Sequence, residues 1–126
     1  MHESGEDYLE SVLRISRQKG NVRAIDIVRD LGVSKPSVSV AVHSLEDGGY
    51  LKIDGYQITL TDAGREIAER VIERHELFHR FLVSLGVDDA VAEKDACRIE
   101  HTLSVESFQA MKDFIEKHMA EDAGQV

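Results

Sequence analysis

The sequence predicts a mainly α-helical protein, interrupted once near its middle by a two-stranded β-hairpin. Three observations carry that expectation. Apolar residues recur at helical spacing through most of the chain, and Gly20, Gly32 and Gly86 fall between the periodic stretches. Between Tyr50 and Leu60 the pattern changes to two short β-like runs on either side of Asp54-Gly55, a strong hairpin signal. With 126 residues, 42% of them hydrophobic, the chain suits one compact domain or two small ones sharing a core.

Taken in order, Leu9, Val12 and Leu13 form the stripe of a first helix over residues 6–19. A second short helix, from Ala24 to Leu31, packs through Ile27, Val28 and Leu31. Ile25 offers it no capping oxygen, so its start is expected to be weakly specified. Gly32-Val33 makes a turn, and Ser34 is a good N-cap for a third helix reaching Asp47, with Pro36 in its first turn. In this helix Val38, Ala41, Val42 and Leu45 face inward; Ser37, Val40 and Ser44 face out, flanked by Lys35, Ser39 and His43.

Helix, glycine turn and helix make either a helix-turn-helix or an ordinary helical hairpin. The hairpin that follows decides between them: Tyr50–Ile53 and Gln57–Leu60 supply the two strands of a wing. A winged helix-turn-helix implies DNA as partner, read by the third helix and by the wing around Lys52 and Tyr56. Thr61 or Asp62 then caps a long helix to about Leu85, a further helix is expected from Asp88 to Leu103, and Ser104 opens the last one. The polar tail from Ala120 is expected to fray. Residues 1–62 thus read as a winged-helix DNA-binding domain, and residues 63–126 as an α-helical metal-binding and dimerisation domain. The second half carries more apolar surface than three helices can bury: Leu77, Phe78, Phe81, Ile99, Leu103, Phe108, Met111 and Phe114. A homodimer built on the helices after Gly86 is the expected outlet.

A net charge of -9 argues against a simple nucleic-acid binder. The acid is unevenly spread, however: residues 1–62 hold 7 basic against 10 acidic side chains, and residues 63–126 hold 8 against 14. No apolar run approaches the roughly 20 residues that span a bilayer, and the start MHESGEDYLE has none of the features of a secretory signal. The single cysteine fits a reducing compartment. A cytoplasmic protein is expected.

Three clusters carry metal-binding atom types. On one helical face, Glu93, Cys97, Glu100 and His101 stand at i, i+4, i+7 and i+8; Asp7 and Glu10 are spaced i, i+3; His75 and His79 are spaced i, i+4. Each has an ordinary reading, as acids complementing a helix N-terminus, surface histidines, or a small buried cysteine. Together they offer O, N and S donors from three segments, as a divalent transition metal requires.

The stretches EDYLESVL, SKPSVSVAVHSLEDGGYL, LTDAGREIAERVIERHELFHRFL and DACRIEHTLS resemble the diphtheria-toxin-repressor family of metal-dependent regulators, especially its short manganese-transport-regulator branch. The likeness covers residues 6 to about 119, with ligands, winged helix and dimer helices in the family's order. It implies principal metal ligands at Asp7, Glu10, His75, Cys97, Glu100 and His101. It also implies an ancillary site drawn from His75, His79 and Glu93, hence room for a second ion per subunit. Ser34, Lys35, Pro36, Ser37, Ser39 and Val40 become the residues closest to the DNA groove. Cys97 is a feature of the iron-responsive branch and Asp7 of the manganese branch. The implied cofactor is therefore Fe(II) or Mn(II), with the soft thiolate tilting the expectation toward iron. The implied function is repression of iron or manganese uptake genes when metal is plentiful.

Two rivals stand beside that reading. Residues 75–79, HELFH, match the H-E-x-x-H zinc-protease motif, with Glu76 as general base. Three fixed letters in five recur by chance, and a winged helix leaves no evident peptide cleft, so no enzyme is expected. The other rival is a winged-helix regulator without metal, in which the acids serve only solubility.

Overall fold

The computed structural model describes residues 3–124 and divides into two compact units, Met1–Ile72 and Glu73–Val126. Among the described residues there are six helices and one two-stranded antiparallel sheet, in the order α1 (Glu3–Lys19), α2 (Ala24–Leu31), α3 (Lys35–Asp47), β1 (Leu51–Asp54), β2 (Gln57–Leu60), α4 (Asp62–Ser84), α5 (Asp89–Ile99) and α6 (Val105–Gly124). None of these helices is long and apolar enough to cross a membrane.

In the first unit, α1, α2, α3, the hairpin and the start of α4 close over one core that includes Leu9, Leu13, Val22, Ile27, Val38, Val42, Leu51 and Ile58. The start of α2 is better defined than Ile25 suggested. Arg23 is the N-cap, and the Asp26 carboxylate reaches back to accept from its N–H at 2.9 Å, one half of a capping box. Lys19 donates to the same carboxylate at 2.8 Å; chiefly that bond, then the one from Arg23, holds the Asp26 carboxyl below the usual range. The Ser11 hydroxyl donates to Asp30 at 2.7 Å, fixing α2 against α1. Ser34 caps α3 as expected, its hydroxyl accepting from the Ser37 N–H at 3.2 Å.

The hairpin pairs Leu51 with Leu60 and Asp54 with Gln57, so its two loop residues are Gly55-Tyr56, one position later than the Asp54-Gly55 turn read from sequence. Only Gly55 takes a positive φ, 63°, as a type II′ turn needs at its first central residue; Asp54 is free to pair. Two bonds aim the wing: the Ile58 N–H donates to the Val22 carbonyl at 2.8 Å, and the Ile53 N–H to the Glu46 carboxylate of α3 at 2.7 Å. Thr61 caps α4, accepting from the Gly64 N–H at 3.2 Å while donating to the Gly49 carbonyl at 2.7 Å. Gly64 lies hard against the chain entering β1. A β-carbon there would sit 2.0 Å from the Tyr50 carbonyl oxygen.

The second unit is built from the later part of α4 with α5 and α6, around Leu77, Phe78, Ala96, Phe108 and Ile115. Phe78 and Phe108 meet edge to face at 6.0 Å. Asp88 caps α5 by accepting from the Ala90 N–H. The helix expected to reach Leu103 ends at Ile99. Glu100 keeps helical backbone as the C-cap, but His101 and Thr102 form a turn. Thr102 donates through both N–H and hydroxyl to the Ile99 carbonyl, and Ser104 accepts from the Ser107 N–H to begin α6. These side chains outcompete helix continuation, as Ser and Thr commonly do at helix ends. In α6, Phe108 and Ile115 are buried while Met111 and Phe114 are exposed. At about 100° per residue, Ile115 falls within about 20° of Phe108, but Phe114 is turned some 120° away. The single apolar face read from sequence is therefore two. α6 continues through the tail expected to fray, as far as Gly124; Gln125 and Val126 lie outside the described residues.

Candidate metal centre and nucleic-acid interface

Helical spacing on α4 and α5 brings most of the predicted ligands of the second unit into one cluster. His75 Nδ1 lies 2.8 Å from Glu100 Oε2 and 3.7 Å from Cys97 Sγ, and one donor atom from each of the three falls within 4.8 Å of the others. Nitrogen, sulphur and carboxylate oxygen so close together are a donor set that divalent transition metals accept. The Glu100 side chain is only 1% exposed, and its other oxygen lies 3.2 Å from His101 Nε2. A carboxylate is costly to bury unless cations or donors face it, and here two imidazoles do. His101 thus joins Glu100 from the turn after α5, not from the helical face on which the sequence placed it.

The other edge of the His75 ring meets a different carboxylate. Nε2 lies 2.9 Å from Glu93 Oε1. His79, stacked on His75 with ring centroids 6.2 Å apart, directs its Nε2 to Asp89 at 2.9 Å and stands 3.7 Å from the second Glu93 oxygen. In the first unit Asp7 and Glu10 lie one turn apart on α1, Asp7 half-buried and Glu10 buried, with Glu10 Oε1 3.4 Å from Arg14 Nε.

Two contributors were missed from sequence. Arg74 is buried, stacks over Phe108 at 4.9 Å, and donates to the backbone carbonyls of Glu100 and Leu103 at 3.2 and 2.8 Å, tying the turn that carries Glu100 and His101 to α4. A signal was present: Arg74 stands on the apolar stripe Val71, Arg74, Phe78, where a charge needs a specific partner. Asp89 was passed over, although it lies one turn before Glu93.

On the first unit, Ser34, Lys35, Pro36, Ser37, Ser39 and Val40 are all exposed at the N-terminal end of α3, and so are Lys52 and Tyr56 of the hairpin. A cleft lined by Arg23, Lys35, Ser39, His43 and Tyr56 separates α3 from the wing. Arg23, not anticipated, stands 6.0 Å over the Tyr56 ring, a cation–π arrangement. The site is thus a hydroxyl-rich helix end beside a largely apolar cleft that Arg23 and Lys35 also line, with donors of the kind that meet phosphates and base edges.

Residues 1–58 match the iron dependent repressor N-terminal DNA binding domain, and residues 61–124 match the iron dependent repressor metal binding and dimerisation domain. The chain is 36% identical over 121 residues to the HTH-type transcriptional regulator MntR of Bacillus subtilis (strain 168), covering 95% of this chain and 85% of that protein. To the transcriptional regulator MntR of Escherichia coli O6:H1 it is 34% identical over 116 residues, 91% of this chain and 75% of that one. Among solved structures, a manganese-dependent transcriptional repressor in complex with manganese superposes with a TM-score of 0.77 at 27% identity, over 89% of this chain and 52% of the other. IdeR of T. acidophilum superposes at 0.74 with 26% identity, over 88% and 53%. The chain spans about half the length of these solved proteins. With DNA-binding and metal-binding domains matched in order over nearly its full length, the chain belongs to the iron-dependent repressor family, whose members are metal-dependent transcriptional regulators and not enzymes.

Proposed function

We propose that this repressor binds operator DNA as a homodimer in the cytoplasm, with Fe(II) or Mn(II) as corepressor, and silences genes for uptake of that metal. The observation that carries the reading is the trio His75, Cys97 and Glu100, three different donor types within 4.8 Å in a unit matched to a metal binding domain. His101, beside Glu100, extends the set, and the family resemblance adds Asp7 and Glu10. A divalent cation bound by these groups would offset their negative charge and link residues 1–62, the DNA-binding part, to residues 63–126, the dimerising part. Without it the clustered acids repel one another, and the DNA-reading parts hold no fixed spacing. Moving such an equilibrium from mostly open to mostly closed takes about 5.5 kcal/mol of differential binding, within reach of a multidentate site. The exposed Val91, Val105 and Phe114 are apolar surface suited to the dimer contact.

Cys97 sets the choice of metal in this reading. Its thiolate favours iron(II), which also stands above manganese in the affinity series, and zinc is expected to bind without being the signal. Cys97→Glu should shift activation of DNA binding toward manganese in anaerobic titrations of each metal. Identical manganese and iron curves in wild type and variant would remove Cys97 from that role.

DNA is read by Ser34, Lys35, Pro36, Ser37, Ser39 and Val40, with Lys52 and Tyr56 of the wing alongside. Hydroxyls and Lys35 bond phosphates or base edges, and Pro36 and Val40 touch thymine methyls. Lys35→Glu replaces a phosphate-neutralising cation with an anion. It should weaken operator binding and flatten its dependence on salt by about one unit of slope or more in a log–log plot; unchanged affinity would dismiss the assignment.

A further inference from the structure

We propose that Glu93 acts on the metal through His75, as the carboxylate that orients its imidazole, and is not itself a ligand. The inference rests on the metal site proposed above and assigns within it a role that the spacing of residues did not suggest.

The two ring nitrogens of His75 face different groups. Nδ1 is the edge turned to the ligand cluster, 2.8 Å from Glu100 and 3.7 Å from Cys97. Nε2 is the opposite edge, 2.9 Å from Glu93 Oε1. A neutral imidazole that coordinates through one nitrogen carries its proton on the other. Ligation through Nδ1 therefore leaves an Nε2–H aimed at the Glu93 carboxylate oxygen 2.9 Å away, an acceptor. Carboxylate, histidine and metal in that order fix the tautomer, stop the ring from flipping, and raise the basicity of the coordinating nitrogen. The Glu93 side chain is 53% exposed while His75 is 15% exposed, so the carboxylate sits at the solvent edge and the ring points inward from it. Asp89 supports the division of labour: at 2.9 Å it takes the Nε2 of His79, which is 3.7 Å from the second Glu93 oxygen. Glu93 is left with His75 as its close partner.

The test uses the full-length protein and zinc(II), a diamagnetic probe. Calorimetric titration of wild type, Glu93→Gln and Glu93→Ala should show equal numbers of ions bound per subunit, with affinity falling about 10–100-fold in Glu93→Ala and less in Glu93→Gln, whose amide oxygen still accepts. Long-range proton–nitrogen NMR of the zinc-loaded wild type should show His75 coordinated through Nδ1 and protonated at Nε2. Loss of one bound ion on removing Glu93 would make it a ligand and overturn the inference. So would affinity unchanged in Glu93→Ala, or ligation through Nε2. Failure of the wild type to bind zinc at all would overturn the metal-site reading along with it.

Discussion

Glu100→Ala should abolish metal-dependent operator binding while leaving the dimer intact. The carboxylate stands between His75 and His101 with its side chain 1% exposed, so it is the buried acid on which both imidazoles converge. Changes one shell out from a metal cost about 10–100-fold in affinity; losing a ligand should cost at least about 100-fold. The same change should do little to the metal-free fold. Ala takes an acceptor away from the His75 and His101 rings, but it also removes a carboxylate that is costly to bury, and the backbone bond from Arg74 to the residue 100 carbonyl does not depend on the side chain. Thermal unfolding separates the two effects. In the wild type, saturating metal raises the midpoint because the ion binds the folded state. In Glu100→Ala that rise should vanish while the metal-free midpoint stays within a few degrees. A variant that keeps the metal-induced rise would take Glu100 out of the ligand set.

Gly64→Ala should give the largest loss of stability of any single methyl addition in the first unit. Inside a helix, Ala is normally favoured over Gly by about 1 kcal/mol. Here the added carbon would stand 2.0 Å from the Tyr50 oxygen, a backbone atom that no rotamer change can move. Separating them means shifting the start of α4 from the chain entering β1, and overpacking of that kind costs about 1–3 kcal/mol, occasionally more. With clash at the upper end against a gain of about 1 kcal/mol, the net loss should be about 2 kcal/mol, roughly 8–16 °C in midpoint for a unit this size. Operator affinity should fall too, because Thr61, Gly49 and Tyr50 lie where the wing begins. An unchanged midpoint in Gly64→Ala would mean that α4 and β1 are not held at that distance.

The winged helix was legible because its punctuation is local. Ser34 caps α3 with its own hydroxyl, Gly55 turns the hairpin with its own φ, and the inward set Val38, Val42 and Leu45 follows from period alone. What escaped depended on partners distant in sequence. The Asp26 carboxylate that starts α2 and the Lys19 that holds it lie 7 residues apart, a pairing that a search for capping Ser or Thr does not reach. Gly64 looks like a weak helical residue until Tyr50, from another element, arrives against it. In the candidate site, i, i+4 spacing put His75 beside His79, and their rings stack. The end of α5 was missed because Thr102 and Ser104 compete for helix-end groups without Gly or Pro, and with it went the placement of His101. Arg74 was passed over because a basic residue on an amphipathic helix is usually solvated; only its two carbonyl partners, 26 and 29 residues away, reveal the buried role.

The central claim is that metal binding and operator binding are one linked equilibrium. A duplex selected from a random library with the full-length protein and manganese(II), then titrated anaerobically by fluorescence anisotropy, measures that linkage. With excess manganese(II) or iron(II) the selected duplex should be bound far more tightly than a scrambled one. After chelation its affinity should drop to the scrambled level, a loss of about 1,000-fold or more, given the usual gap between specific and non-specific binding. Equal affinity for the selected duplex with metal and with chelator would contradict the claim.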